Sequence, residues 1–356
     1  MKITNLEVIR LHVPVLDRPR PDPWHNMLLV RVDTDAGISG WGEAWSLNLA
    51  EATAAAIAHN VAPLCVGQSA EDISGLSLAI RKQIGNTRNG PLTYAVSALD
   101  IALWDIAGKA AGLPLCQMFG GTATSLPAYA SLFRYSDPDI AAEKSMEAVA
   151  RGYRHLKLHE CEIAPVAATR EAVGDDISIR LDPAWAWTPL EAIDMARQLR
   201  KYNLVWLEEP VWPPEDYRSL AEVARASGIP LAAGENCISA MDFRHLWEAN
   251  AVSFMQPSVI KIGGITESLK VAALADVCNV EFAPHSYYHG PGMLASLHLA
   301  AASPHEIVAE HGYDDLEGWP YGDALILNAG KLAVPQKPGL GLDPNPGFLK
   351  EYAVDL

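Results

Sequence analysis

The chain has 356 residues, 49% hydrophobic and 20% charged, which are the proportions of a soluble globular protein with room for one to three domains. Its 27 basic and 43 acidic residues give a formal net charge of −16 with no basic run, which excludes the electrostatic footprint of a nucleic-acid binder. No apolar stretch reaches the roughly 18 residues of a membrane span. The N-terminus enters a strand-like run at once, without a basic-then-apolar signal. The five cysteines (Cys65, Cys116, Cys161, Cys237 and Cys278) are scattered, with no close metal-ligand spacing, so they read as buried fillers and a cytoplasmic setting is expected.

In chain order, residues 3–13, 27–35 and 38–44 read as strands, with Asp35-Ala36-Gly37 turning between the last two. Helical patterns follow at 49–62, 70–83 and 91–111. The last carries Ala95, Val96, Leu99, Leu103 and Ile106 at helical spacing and is stopped by Gly112 and Pro114. Strands followed by helices predict an α+β domain over residues 1–122. From about residue 126 the pattern alternates strictly. Strands are expected at 126–132, 153–159, 177–182, 204–208, 230–234, 253–256, 281–284 and 306–310, with helices between them, such as 139–151, 189–201, 215–227, 239–249 and 265–278. Eight strands with intervening helices predict a closed parallel barrel over residues 123–320. The Gly- and Pro-rich tail, 321–356, is expected to pack back on the first domain. The proline-rich stretch 15–26 is expected to be a long loop covering the barrel mouth.

Three acidic residues each close an apolar run: Asp182 after Ile177 to Leu181, Glu208 after Val205-Trp206-Leu207, and Glu235 after Leu231 to Gly234. The steps between them are 26 and 27 residues, one strand–helix unit each, so they occupy one address in three successive units. The C-terminal ends of barrel strands converge on one mouth. Three carboxylates there repel one another unless a hard cation holds them, and oxygen-only ligation points to Mg2+ rather than zinc. Lys157 falls at the same rim one strand earlier, in a run where His155, Lys157 and His159 share a face. An amine partly desolvated beside a divalent cation has a lowered pKa and serves as a base. His285 and Glu310 end later strands. Taken singly, each residue has a plainer reading: an N-cap or solvated carboxylate, a surface lysine, a core histidine. Three carboxylates in register with one lysine shift the balance to chemistry. His159 is read as orienting Lys157, His155 as structural, and Glu209 as pointing away from Glu208 toward a cation or backbone donor.

The chain resembles the enolase superfamily, in its mandelate racemase-like branch. The resemblance rests on Gly40-Trp41-Gly42-Glu43, on Ala98-Leu99-Asp100-Ile101-Ala102-Leu103-Trp104-Asp105, and on Pro114-Leu115 through Gly120-Gly121. It continues through Leu207-Glu208-Glu209-Pro210, Gly234-Glu235-Asn236, Lys261-Ile262-Gly263-Gly264 and Pro338-Gly339-Leu340-Gly341, in this order. It implies a modified TIM barrel, (β/α)7β, with an N-terminal α+β capping domain completed by the C-terminal tail. It further implies proton abstraction next to a carboxylate through an ene-diolate stabilised by Mg2+. By the same resemblance Asp182, Glu208 and Glu235 hold one Mg2+ per subunit, with Mn2+ able to substitute. Lys157 and His285 flank the substrate as acid–base residues, Glu310 binds its carboxylate, and the protein is a homo-oligomer. The chain departs from the family pattern in three places. His159 replaces a frequent second lysine. Ser258 stands where an aspartate that orients the histidine, or a lysine, is usual, with Lys261 near enough to substitute. Ala184 replaces an asparagine.

The favoured reaction is β-elimination of water from an acid sugar or hydroxy acid, a carbon–oxygen lyase with Lys157 as base and His285 as acid. The alternative is a racemase, epimerase or lactone cycloisomerase, which needs a better tuned Lys157/His285 pair than Ser258 provides. A metal-stabilised binding protein without turnover is the third reading, weakened by retention of every ligand and both acid–base residues. The substrate is a small carboxylate. Trp24 and His25 are expected to line its pocket, Trp185 and Trp187 to form an apolar wall, and Arg18 and Arg20 to be solvated or to meet a distal carboxylate.

Overall fold

The computed structural model describes residues 1–16, 24–85 and 89–355. Strands β1 (Ile3–Pro14), β2 (Trp24–Thr34) and β3 (Ser39–Ala44) form an antiparallel meander, close to the expected limits. The helical stretch after it contains one wide turn, Ile57–Val61, between Ala50–Ala56 and Ala62–Cys65. Helix Ile73–Gln83 begins late in its expected range because Asp72 is its N-cap, accepting from Gly75 N at 3.1 Å. Helix Pro91–Ala111 ends on Gly112 in the left-handed conformation, with Leu113 N bonded back to Gly108 O. Leu28, Val30 and Val32 of the sheet bury against Leu99, Leu103 and Ile106 of this helix. Removing these side chains from water is the main force joining the two layers.

The second layer is a curled parallel sheet. Its strands are β4 (Ser125–Ser131), β5 (His155–Leu158), β6 (Ser178–Leu181), β7 (Leu204–Glu208), β8 (Leu231–Ala233), β9 (Phe254–Met255), β10 (Glu281–Phe282) and β11 (Ala309–Gly312). Neighbours run in the order β10-β9-β8-β7-β6-β5-β4-β11. Between β10 and β11 no backbone ladder forms among the described residues. Ser286 crosses that seam, donating from N to Glu310 Oε2 at 2.8 Å and from Oγ to Glu310 O at 2.9 Å. Seven helices follow β4 to β10: Pro138–Ala150, Ile163–Val173, Pro189–Leu199, Tyr217–Ser227, Ala240–Glu248, Ile265–Cys278 and Pro291–Ala301. The architecture is therefore the (β/α)7β barrel of the resemblance. Helix Pro291–Ala301 is buried along its whole length, so it carries no amphipathic period in the sequence. Inside the barrel the Arg180 guanidinium stacks between Tyr129 and Trp206, 4.9 and 4.7 Å from their ring centroids.

The tail does not leave the barrel at once. β12 (Lys331–Ala333) first adds antiparallel to the start of β4, with Leu332 opposite Leu126. Only then does the chain return to the first sheet, where β13 (Ala353–Val354) pairs with β1. The cap is bonded to the barrel through the motif helix. Ser97 Oγ accepts from Gly263 N at 2.8 Å, Asp100 Oδ1 from Thr266 N at 2.9 Å, and Asp105 from both Trp41 N and Leu340 N. Gly264, at φ +86°, lies so close that a Cβ there would meet Asp100 Oδ1 at 2.3 Å. The shared strings of the sequence are thus largely the seam that seats the cap over the barrel mouth. No helix among the described residues is long and apolar enough to cross a membrane, and the five cysteines are free.

Candidate active site

The mouth is a cavity of about 470 Å³ between cap and barrel. Asp182, Glu208 and Glu235, carried just past β6, at the end of β7 and just past β8, bring one carboxylate oxygen each within 4.8 Å of the others. Each is aimed by a donor: Asp182 Oδ1 accepts from Ala184 N (2.7 Å), Glu208 Oε2 from Trp206 Nε1 (2.8 Å), and Glu235 Oε1 from Asn236 Nδ2 (3.2 Å). Ala184 therefore does contribute a polar contact, through its backbone.

Lys157 is almost fully buried, with Nζ 2.7 Å from Glu310 Oε1, 3.0 Å from Glu208 Oε1 and 3.7 Å from Asp182 Oδ2. Burial disfavours its charge, but Glu208, Glu310 and Asp182 outweigh burial and hold the amine as an ammonium well above its usual range. The lowering expected from the sequence requires the positive charge of a divalent cation in the trio; the protein's own carboxylates by themselves favour the ammonium. Glu310, in a buried site that would raise its pKa, is instead brought down to about 2 by Lys157 and His285. Its oxygens also accept from Ser131 Oγ and Ser286 N. Glu208 is pushed well above the ordinary carboxylate range by burial and by repulsion from Asp182, Glu310 and Glu235. The trio is thus an oxygen-only donor set carrying more negative charge than its neighbours offset, which fits a hard divalent cation.

His285 follows β10, with Nε2 3.1 Å from Glu235 Oε2. Burial lowers its pKa against the pull of Glu235 and Glu310. Its Nδ1 has no hydrogen-bond partner, nor has Ser258 Oγ, although the two residues bridge neighbouring chain segments. The Tyr288 hydroxyl nearby is committed to His285 O (2.7 Å) and Ser296 Oγ (3.2 Å). Lys261 does not replace the absent carboxylate. Its ammonium lies over the Trp45 ring at 3.9 Å and reaches Asn236 Oδ1 (3.3 Å) and Glu235 (3.5 Å). His159 faces Leu132 O through Nδ1 and Asp182 Oδ2 through Nε2 at 3.3 Å. His155 bonds Ser178 Oγ away from the mouth. Glu209 accepts from Gly234 N, Trp185 Nε1 and Asn236 Nδ2, and burial, with Glu235 nearby, raises it to about 7.

Trp24, His25, Trp45 and Trp185 line the cavity, whereas Trp187 is packed into the barrel shell and does not. Arg18 and Arg20 lie outside the described residues. Tyr94, Phe133, Asn236 and Tyr287 also line the cavity and were not singled out from sequence. Tyr287 and Asn236 each follow a strand end, a position that could have flagged them. Phe133 follows the end of β4 in the same way, whereas nothing local marks Tyr94.

Three carboxylates, a buried lysine and a histidine thus surround one cavity between cap and barrel, a donor set that fits a hard cation. The enolase C-terminal domain-like family matches residues 141–347, and the mandelate racemase / muconate lactonizing enzyme N-terminal domain matches residues 23–120. The chain is 33% identical to a D-xylonate dehydratase of Haloferax volcanii, over 94% of this chain and 86% of that one. It is 31% identical to a D-galactonate dehydratase of Ralstonia pickettii, over 100% and 95%. It is also 31% identical to a 3,6-anhydro-alpha-L-galactonate cycloisomerase of Streptomyces coelicolor, over 89% and 88%. Among solved structures it is similar to an enolase superfamily member from Polaromonas (TM-score 0.90, 31% identity, 100% and 98% covered). A racemase from Streptomyces coelicolor with bound magnesium is similar too (TM-score 0.88, 27% identity, 99% and 100% covered). This chain belongs to the mandelate racemase/muconate lactonizing enzyme family of the enolase superfamily.

Proposed function

We propose that the protein is a Mg2+-dependent acid-sugar dehydratase, which removes the proton α to a carboxylate and eliminates the β-hydroxyl as water. One observation carries this reading: Lys157 and His285 flank the carboxylate trio in strand order, each within 3.1 Å of a member of it. Asp182, Glu208 and Glu235 would hold one Mg2+ per chain, with Mn2+ able to replace it, and the bound cation supplies positive charge where the substrate carboxylate gains negative charge.

Lys157 is no longer held protonated once a divalent cation in the trio offsets the carboxylates; its neutral Nζ then takes the α proton, and the electron pair left behind expels the β-hydroxyl. His285 starts as the imidazolium that Glu235 and Glu310 favour; its Nε2 gives that hydroxyl the proton and is left neutral, the hydroxyl departs as water, and the enol product becomes a 2-keto acid. Glu310 and Lys157 share their proton balance. When Lys157 is neutral, Glu310 loses the cation beside it, and with its own proton it can donate to the substrate carboxylate. His159 orients Asp182 rather than Lys157, which it does not touch, and Lys261 orients Glu235. Trp24 and His25, with Trp45 and Trp185, shape the wall that receives the rest of the sugar.

Elimination needs a base and an acid that each work in one direction, which suits a His285 whose Nδ1 has no partner. The cycloisomerase reading is the second choice. The aromatic wall of Trp45, Tyr94, Phe133, Trp185 and Tyr287 suits a cyclic substrate, and one relative bears that name. Proton NMR of a panel of aldonic and anhydro-sugar acids, with Mg2+, tests the choice. Formation of a 3-deoxy-2-keto acid from an aldonic acid, with loss of water, is the expected result. Ring opening without loss of oxygen identifies the second reading, and no turnover of any member overturns the proposal.

A further inference from the structure

A second group of metal-binding side chains joins the cap to the barrel beside the substrate cavity. His25 stands at the start of β2, His289 follows β10 and Asp314 follows β11. Asp314 Oδ2 lies 3.4 Å from His25 Nδ1 and 3.0 Å from His289 Nε2. The two imidazoles are inclined with centroids 4.6 Å apart, and one ligand atom from each of the three residues lies within 4.8 Å of the others. Asp314 and His289 are almost wholly buried, and the His25 side chain is 12% exposed.

The group is braced from outside. The Tyr287 hydroxyl donates to Asp314 Oδ1 at 2.6 Å, which turns Oδ2 toward the histidines. The edge of the His289–Trp319 pair fixes the second ring at 5.0 Å. Gly312 leaves room for that ring, since a Cβ there would approach His289 Cε1 to 2.9 Å. His25 and His289 hold Asp314 ionised, well below the ordinary carboxylate range despite its burial.

Two imidazoles and one carboxylate form a borderline donor set, suited to zinc-class ions and poorly suited to Mg2+. Around a four-coordinate ion with bonds of about 2.0–2.1 Å, neighbouring ligand atoms sit about 3.3 Å apart. The two separations onto Asp314 Oδ2 bracket that spacing. We propose that His25, His289 and Asp314 form a second metal site, taking a zinc-class divalent ion and clamping the start of β2 to the barrel loops. Because His25 also lines the substrate cavity, the clamp fixes that wall. The site is chemically distinct from the carboxylate trio, so the two should sort Mg2+ from Zn2+ between them.

The test loads the protein with saturating Mg2+, exposes it to Zn2+, removes unbound metal and counts what remains. One retained Zn2+ per chain is expected, lost in His289→Gln and in Asp314→Asn but kept in Glu235→Gln. If those buried substitutions do not fold, His25→Gln carries the same test. With Co2+ as probe, the visible ligand-field bands of a nitrogen–oxygen site should appear in wild type and vanish in His25→Gln. No retained zinc in the Mg2+-loaded wild type would leave the three side chains as a hydrogen-bonded strut and overturn the proposal. So would zinc that survives in His289→Gln and Asp314→Asn, or that disappears with Glu235→Gln alone.

Discussion

Lys157→Met is the sharpest test of how the carboxylate cluster is balanced. Methionine nearly matches lysine in length but removes the ammonium that sits 2.7, 3.0 and 3.7 Å from Glu310, Glu208 and Asp182. At an effective dielectric of about 20 each contact is worth roughly 4–6 kcal/mol of Coulomb energy before desolvation. Removing one partner of such a buried pair leaves uncompensated charge, and the net loss is about 3–5 kcal/mol. Protonation of Glu208, already favoured by burial and by its acidic neighbours, relieves part of this at low pH. The loss should therefore grow as pH rises. A divalent cation in the trio restores positive charge, so the deficit should be large in chelator and small in saturating Mg2+. Urea unfolding of wild type and variant under both conditions measures it. An equal deficit with and without Mg2+, or one under about 1 kcal/mol in chelator, would refute the reasoning.

Glu43, on the cap side of the cavity, offers a pH signature of its own. Burial raises its carboxyl to about 8, although the Gly290 and Gly292 amides favour the anion. A carboxyl raised on folding binds a proton in the native state that the unfolded chain has released, so its contribution falls as pH climbs from about 4.5 to about 8. Glu43→Gln should gain about 1–3 kcal/mol relative to wild type between pH 5 and pH 8, and a flat difference across that range would contradict the assignment. Glu235→Gln should weaken Mg2+ binding by more than the roughly 10–100-fold typical of losing a supporting partner, as read by calorimetry. Unchanged affinity would remove Glu235 from the ligand set. Ser258→Asp should give His285 Nδ1 an acceptor worth about 1.5–3 kcal/mol. The alkaline limb of kcat should then move up by about one to two pH units, and an unmoved limb would show that the histidine is not the titrating acid.

The strand-end register of Asp182, Glu208 and Glu235 was legible because a barrel repeats its unit at near-constant length, so equal spacing becomes a shared rim. Seven of the eight strands and the helix Pro91–Ala111 were legible because their apolar periods are local, whereas the last strand, expected at 306–310, runs Ala309–Gly312, with Glu310 inside it. The reach of Glu310 to Lys157 was not legible, because the two stand more than 150 residues apart and only the curled sheet brings them within 2.7 Å. Trp187 lies in the shell and not in the expected wall, because the backbone turns after β6, where Ala184 and Trp185 adopt positive φ. The tail's detour through β12 was missed because three residues carry no readable period. The His25–His289–Asp314 group unites segments from both ends of the chain, so no spacing announces it.

In the proposed reaction Lys157 abstracts the α proton in a site assembled around a divalent cation. That step is tested most directly with a sugar acid lacking the β-hydroxyl, which cannot eliminate water, incubated with enzyme and Mg2+ in deuterated water. Deuterium should enter the α position with wild type and with His285→Gln, and should not enter with Lys157→Ala or after chelation. Incorporation that persists in Lys157→Ala, or that is indifferent to the chelator, would contradict the account.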